Sequence, residues 1–413
     1  MASLRIPHNF HIIILKLLDI LSRGLFVLIG TYGLSVVEAG QFGLLTTLIG
    51  LFGFAFGFER QFDLQRSMVG KSGAEVILQV KRTVHFYLLN YALLTPVFLY
   101  LLFPILKLPP LLIACAAIIV IAEHLLQQAY VLILIDNRYR PLLLCSIIKN
   151  TGILTAVLYQ LFLGHHLTLA FIIQAWMCTA LMGIVVCLIL WRKLTGNLEP
   201  MPTATAPVWQ IFHQYKRSYI HFLLGAVALL ALQADRLIVG ALLQPVDIGV
   251  YFRNITLVSL AYQIFGIGSY NRLSPRVYAQ ASQIATHQLR RITRREHRII
   301  VALCISSFVL LWLAHQYVGL PFLQKFHIDL NFQAILLLSF LMRTAGDLDS
   351  LLLNAKHLER YLLRHQICAV SLGVALSIVL TWQYGLTGTI ASSLCSPLVY
   401  WATNRKTLTK IED

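Results

Sequence analysis

Six lysines and arginines fall inside long apolar stretches: Lys16, Arg23, Lys149, Arg236, Arg253 and Arg343. Five acids lie in or beside such stretches: Asp19, Glu123, Asp235, Asp347 and Asp349. A charge held at the middle of a bilayer costs about 2.5–3.5 kcal/mol on insertion scales, so a group kept there has a partner or a task. Arginine offers a planar fork of donors that matches phosphate oxygens, and lysine offers a point charge. The chemistry open to these cations is the binding of phosphate or diphosphate. The acids could carry a coupling ion.

Spacing sorts the candidates. Lys16, Asp19 and Arg23 lie at i, i+3 and i+7, one stripe of a helix, so Asp19 can reach Lys16 or turn toward Arg23. Arg343 and Asp347 lie at i, i+4 and can pair in the same way. Asp235 and Arg236 are adjacent, point in different directions, and are poorly placed to pair within their own helix. Lys16 sits near a span end and can snorkel. Arg253 lies near the other end of its span, where snorkelling and function weigh equally. Arg23, Lys149 and Arg343 lie deeper, and a water-filled, positive hollow with no cancelling carboxylate accounts for them. Glu123 is a candidate protonatable coupling site, whereas His124 beside it reads as a satisfied interhelical hydrogen bond. Gln127, Gln128, Asn150 and Gln174 are sugar contacts or interhelical glue. His165 and His166 read as surface residues of a turn.

The elements that position these groups follow from composition. The 413 residues are 58% hydrophobic and only 12% charged, where a soluble domain carries about twice that charge. The apolar stretches are about 18–24 residues long and evenly spaced, the length that spans hydrocarbon. Backbone polar groups must be satisfied inside the segment in lipid, so the spans are helices. About twelve are expected: 10–30, 42–60, 84–103, 111–135, 142–162, 167–191, 219–242, 250–271, 299–318, 332–353, 363–383 and 386–402. The first stretch lacks a small-residue cleavage site and reads as a span, not a signal peptide. The seven cysteines lie in apolar segments without a CxxC pair, so they read as small buried residues.

Of the 33 lysines and arginines, 25 fall in alternate gaps and only Lys107 and Lys325 in the other set. That bias puts both termini on the cytoplasmic side. It also explains the net charge of +16 without nucleic acid, because the charges alternate with spans instead of forming one patch. The densest run, Arg290, Arg291, Arg294, Arg295, His297 and Arg298, reads first as a topology anchor, with contact to anionic lipid headgroups as the alternative. The domain reading is a six-helix lobe over 1–195, a cytoplasmic linker over 196–218, a second six-helix lobe over 219–404 and a tail over 405–413. Glu38-Ala-Gly40-Gln-Phe42 and Asp247-Ile-Gly249-Val-Tyr251 both read acid–x–Gly–x–aromatic at the first outer turn of each half. An even number of spans per half makes this a parallel repeat.

The stretch from Arg23-Gly-Leu-Phe through Gly-Thr-Tyr-Gly-Leu-Ser35 to Glu38-Ala-Gly40-Gln-Phe42-Gly43 resembles the opening of the polysaccharide transport proteins. These are the Wzx-type O-antigen and capsule flippases of the multidrug/oligosaccharidyl-lipid/polysaccharide exporter superfamily. Gln233-Ala-Asp235-Arg236-Leu-Ile-Val-Gly240 followed by Gly249-Val-Tyr251 resembles the stretch after that family's central linker. The resemblance implies an all-α polytopic membrane protein with two pseudo-symmetric six-helix lobes around a central cavity. It implies a transporter and not an enzyme, set in the bacterial inner membrane. Such a protein moves an undecaprenyl-diphosphate-linked oligosaccharide to the periplasmic leaflet by alternating access, coupled to a proton or sodium gradient. Arg23 and Arg253 carry over as diphosphate ligands. Lys149 and Arg343 are added from the residues alone, and Asp19, Glu123, Asp235 and Asp347 are the candidates for ion coupling. No metal or cofactor is expected; the partners are membrane lipids and the polymerase and chain-length proteins of the same pathway. The alternatives are a multidrug exporter of the same superfamily, which a cationic cavity disfavours, and a membrane polymerase or glycosyltransferase, which the short outer gaps disfavour.

Overall fold

The computed structural model describes residues 10–58, 60, 73–135, 141–196, 209–280, 285–318 and 327–412. Among them every regular element is helical. The chain divides into two compact units, Met1–Phe222 and Leu223–Asp413.

The first unit holds α1 (Phe10–Gly33), α2 (Val36–Gly57), α3 (Gly73–Leu106), α4 (Pro110–Ile135), α5 (Leu143–Phe162) and α6 (Leu169–Thr195). Helix α5 packs between α1 and α6, α6 packs on α4, and α4 leans on α2 and α3. Small residues set how closely these helices approach. A Cβ added at Gly183 of α6 would lie 3.1 Å from the Cys145 carbonyl and 3.4 Å from the Lys149 Cβ on α5. Gly183 is therefore what lets α6 lie against the stem of Lys149.

Helix α7 (Trp209–Leu242) runs from the first unit into the second. The expected linker is thus helical from Trp209, and residues 197–208 lie outside the described residues. The second unit continues with α8 (Pro245–Ala261), a π-helical segment (Tyr262–Ile267), α9 (Gly268–Gln280), α10 (Thr286–Val318), α11 (Leu330–Ala355), α12 (Glu359–Ser392) and α13 (Cys395–Glu412). Helix α11 is its hub, touching α8, α9, α10, α12 and α13. Helix α12 folds back at Gly385, whose φ of 61° and ψ of −137° suit glycine alone. Thr381 and Thr389 hydroxyls meet at 2.9 Å across that bend, where a straight helix would hold them about 12 Å apart. The reversal separates the eleventh and twelfth expected spans. The expected tail is the last part of α13.

Eight of the described helices are long and apolar enough to cross a membrane. Exposed aromatics stand near helix ends in each unit, Tyr100, Phe103, Tyr159 and Phe162 in the first and Tyr317, Trp382 and Tyr384 in the second, the residue types that membrane interfaces favour. The protein is a multi-pass, all-helical membrane protein.

The acid–x–Gly–x–aromatic segments do not lie in turns. They form the first turns of α2 and α8, the second helix of each unit. Ser35 caps α2 by accepting from the Glu38 backbone N–H, and Glu38 reaches across to accept from the Leu169 N–H at the start of α6, 3.0 Å away. One carboxylate thus serves two helix N-termini, which favour negative charge.

Candidate functional site

In the first unit the candidates converge on α5. Lys149 Nζ donates to Glu123 Oε2 of α4 at 2.6 Å, and the Trp176 indole N–H of α6 donates to Glu123 Oε1 at 2.7 Å. Both ions are largely shut from solvent, with side chains 5% and 15% exposed. Lys149 therefore has a carboxylate partner, which corrects the expectation that no acid cancels it. The physical reason is cost: two buried ions of opposite sign at contact distance relieve each other's desolvation.

One turn away, Asp19 of α1 accepts from Ser146 Oγ at 2.7 Å and from Asn150 Nδ2 at 2.6 Å, both on α5. Its observed partners are neutral α5 groups instead of its own stripe, and the Lys16 side chain lies outside the described residues. Arg23, also on α1, is exposed. It lies near enough to act on Glu123 electrostatically, and it makes no hydrogen bond or ion pair among the described residues.

Neighbouring polar groups act as glue. His124 is buried, with Nδ1 2.6 Å from the Tyr91 hydroxyl and Nε2 3.1 Å from the Gln128 amide, as expected for an interhelical bond. Gln128 also accepts from Tyr87 at 2.8 Å, so it and Asn150 are occupied within the lobe. Gln127 and Gln174 are exposed, as are His165 and His166 in their turn.

In the second unit the groups fall into three places. Arg343 and Asp347 of α11 pair at 3.2 Å across one helical turn. Asp347 also accepts from the Tyr262 hydroxyl at 2.6 Å, and the Arg343 guanidinium lies 4.8 Å from the centre of the Tyr400 ring. Arg343 is thus a second deep cation with an acid partner, although its i, i+4 spacing had made that pair legible. Gly346 makes room for the ring: a Cβ there would fall 2.6 Å from Tyr400 Cδ1. Tyr262 opens the π-helical segment, whose extra residue re-aims side chains and is common at functional positions.

The second place is the α7–α8 contact. The Tyr251 hydroxyl donates to Asp235, and Arg236 donates to Ser259 Oγ at 2.8 Å. The adjacent Asp235 and Arg236 side chains go to separate partners, as their positions demanded. The third is Arg253, buried in α8 beside a polar clamp. Its neighbour Asn254 donates to the His327 carbonyl, accepts from the Asp329 N–H at 3.0 Å, and takes Gln333 of α11 on its own carbonyl at 2.8 Å. The clamp fixes the α8 register, and with it the height of Arg253.

Sequence reasoning missed Trp176, Tyr251, Tyr262, Tyr400 and Asn254 as partners of the charged groups. The available signal was a polar tip on a large side chain inside an apolar span, since buried indole N–H and phenol O–H groups find acceptors. Among the described residues no cluster of acids, histidines and cysteines could hold a metal ion.

No protein-family model and no curated protein matches the chain. Solved structures do resemble it. An inward-facing multidrug resistance MATE family transporter of the MOP superfamily matches with a TM-score of 0.67 at 12% identity, over 96% of this chain and 95% of that one. The lipid II flippase MurJ in an inward closed conformation matches with a TM-score of 0.67 at 15% identity, over 97% and 90%. A MATE structure in a bent conformation matches with a TM-score of 0.59 at 12% identity, over 97% and 94%. Nearly the whole chain therefore shares the fold of these solved structures.

Proposed function

We propose that the protein is a transporter that moves an undecaprenyl-diphosphate-linked oligosaccharide, an O-antigen or capsule repeat unit, across the bacterial inner membrane by alternating access, with both termini cytoplasmic. The observation that carries this reading is Arg23. It is a mid-span guanidinium, exposed and without an ion pair among the described residues. An anion with paired oxygens is its natural complement. Arg253 is the second proposed diphosphate ligand.

Lys149 and Arg343 enter the reading differently, because each is held by one of the candidate coupling acids. In this mechanism Glu123 and Asp347 are occupants that the substrate replaces. Protonating either acid would release its cation to the diphosphate, and losing the proton would draw the cation back. The coupling ion is then a proton acting through Glu123 and Asp347. Asp19 and Asp235, which accept from neutral groups as well, orient α1 and α7. No covalent step is required of any residue.

The test is surface glycan in cells whose own flippase is deleted, with protein level measured alongside. Arg23→Ala and Arg253→Ala are expected to abolish glycan at native protein level, and Arg23→Lys to restore part of it. Glycan retained in both alanine variants would refute the assignment.

A second reading, a multidrug exporter, is favoured by the pairing itself: with Lys149 and Arg343 neutralised, the buried charge is less positive than the bare sequence suggests. The MATE likeness is compatible with it. Resistance to organic cations on expression, undiminished by Arg23→Ala, would select this reading over the flippase.

A further inference from the structure

Helix α10 has 33 residues and is about 50 Å long, whereas the hydrocarbon core is about 30 Å thick. Its apolar part begins at Ile299, so the first 13 residues, from Thr286 to Arg298, extend past the hydrocarbon. Within that extension His287, Arg291, Arg294, Arg295 and Arg298 are all exposed. At about 100° per residue they fall within an arc of roughly 100°, a single stripe about 16 Å long. Together they line a depression of about 440 Å³.

The opposite face of the extension is packed, so the helix that carries the stripe is held in place. Leu289 belongs to a core with Leu348, Leu351 and Leu352 of α11, Thr293 is buried, and His297 meets the Leu341 carbonyl at 3.1 Å. The acid of this segment, Glu296, is on the packed side as well, taken by Ser269 at 2.9 Å and by Arg272. No carboxylate lines the depression among the described residues.

Positive-inside bias counts charges; it is indifferent to which side of a helix they occupy. It explains the number of arginines here and not their alignment around a hollow. We propose that the α10 stripe is a binding site for the phosphodiester headgroup of an acidic phospholipid in the leaflet it faces. Arg295 and Arg298 lie within the first turn beyond the apolar segment and Arg294 just past it, at headgroup level, and their forks fit phosphate oxygens. Arg291 and His287, farther along, set a positive approach. The site is distinct from the deep charges of α5 and α11, so it stands whichever substrate the protein moves.

The experiment uses the purified full-length protein in mild detergent with equal amounts of phosphatidylglycerol and phosphatidylethanolamine, and reads retained lipid by native mass spectrometry. The native protein is expected to retain phosphatidylglycerol preferentially. Arg294→Gln/Arg298→Gln is expected to weaken it about 25-fold, at about fivefold per guanidinium. Arg360→Gln/Arg364→Gln removes as many exposed charges from the start of α12 and is expected to stay within about twofold of native. Arg294→Lys/Arg298→Lys keeps charge and topology but loses the fork, and is expected to fall between. Equal loss in both glutamine pairs, or no preference in the native protein, would overturn the assignment. So would displacement of the lipid by millimolar inorganic phosphate, which would mark a free-anion site, or selective retention of a polyprenyl diphosphate, which would mark a substrate site. If the glutamine pair at Arg294 and Arg298 does not fold, native affinity in the lysine pair overturns it.

Discussion

The buried Glu123–Lys149 pair supports a test that separates stability from transport. At 2.6 Å and an effective dielectric near 20, two unit charges attract by about 6 kcal/mol. Desolvation of two nearly inaccessible ions offsets most of this. Removing one partner leaves the other buried and uncompensated, so Glu123→Gln and Lys149→Met are each expected to destabilise by about 3–5 kcal/mol. Glutamine keeps a carbonyl for the Trp176 indole, so that bond contributes little to the loss. The double variant removes both charges and should return to within about 1 kcal/mol of native, or exceed it. The assay is reversible unfolding of the purified protein in mixed micelles, run as a double-mutant cycle, with a coupling energy of about 3 kcal/mol or more expected. Single variants near native, with additive effects, would show that the pair is solvated and would refute the burial argument. Glycan export by the same proteins tests the mechanism. On the proposed mechanism the double variant should be folded and inactive, because it has lost the cation proposed to receive the diphosphate. A double variant that exports at the native rate would reduce Lys149 to a structural lysine.

Gly183→Leu forces α6 away from Cys145 and Lys149 and is expected to lower stability by about 1–3 kcal/mol and shift Trp176 fluorescence; an unchanged spectrum and melting point would count against the close approach. Tyr251→Phe leaves Asp235 without its hydroxyl donor and should cost about 1–3 kcal/mol by chemical denaturation, whereas a cost under 0.5 kcal/mol would mean that the carboxylate reaches water. Gly385→Val meets a positive φ that β-branched residues avoid, and a Cβ at nearby Gly388 would overlap the Leu380 carbonyl, so Gly385→Val and Gly388→Val should each reduce folded yield, Gly388→Val the more. Equal, native-like yields would mean that the α12 hairpin is loosely packed.

The spans were legible because a twenty-residue apolar run and alternating charge carry their own length scale. The bend of α12 falls at Gly385, in the gap between the eleventh and twelfth expected spans. Contacts within one helix were legible too, since Arg343 and Asp347 lie one turn apart. Contacts between helices were not. Glu123 and Lys149 are 26 residues apart on helices that both pack against α6, and periodicity does not report rotation between rods. Asp19 shows the same limit: its own stripe offered cations, and its observed partners are Ser146 and Asn150 of another helix, 127 and 131 residues on. The repeated acid–x–Gly–x–aromatic segments were found but misplaced. In each, the acid is a first-turn residue of a helix, where the dipole stabilises it.

The two units place their deep ions in corresponding ways. Counting α8, the π-helical segment and α9 as one continuous rod, the fourth rod of each unit carries a carboxylate, Glu123 on α4 and Asp347 on α11. In each, an aromatic of the sixth rod closes the pair, Trp176 by donating to the acid and Tyr400 by lying over the cation. The cation differs in origin, from the next helix in one unit and from the same helix in the other. That difference bears on what each pair can do. Arg343 and Asp347 share a rigid helix and a fixed separation, so protonating Asp347 changes charge without moving a backbone. Lys149 and Glu123 bridge two helices, so protonating Glu123 also loosens the α4–α5 contact. Under the proposed proton coupling, the first-unit pair is the one placed to turn a proton into helix movement, and coupling should be sought first at Glu123.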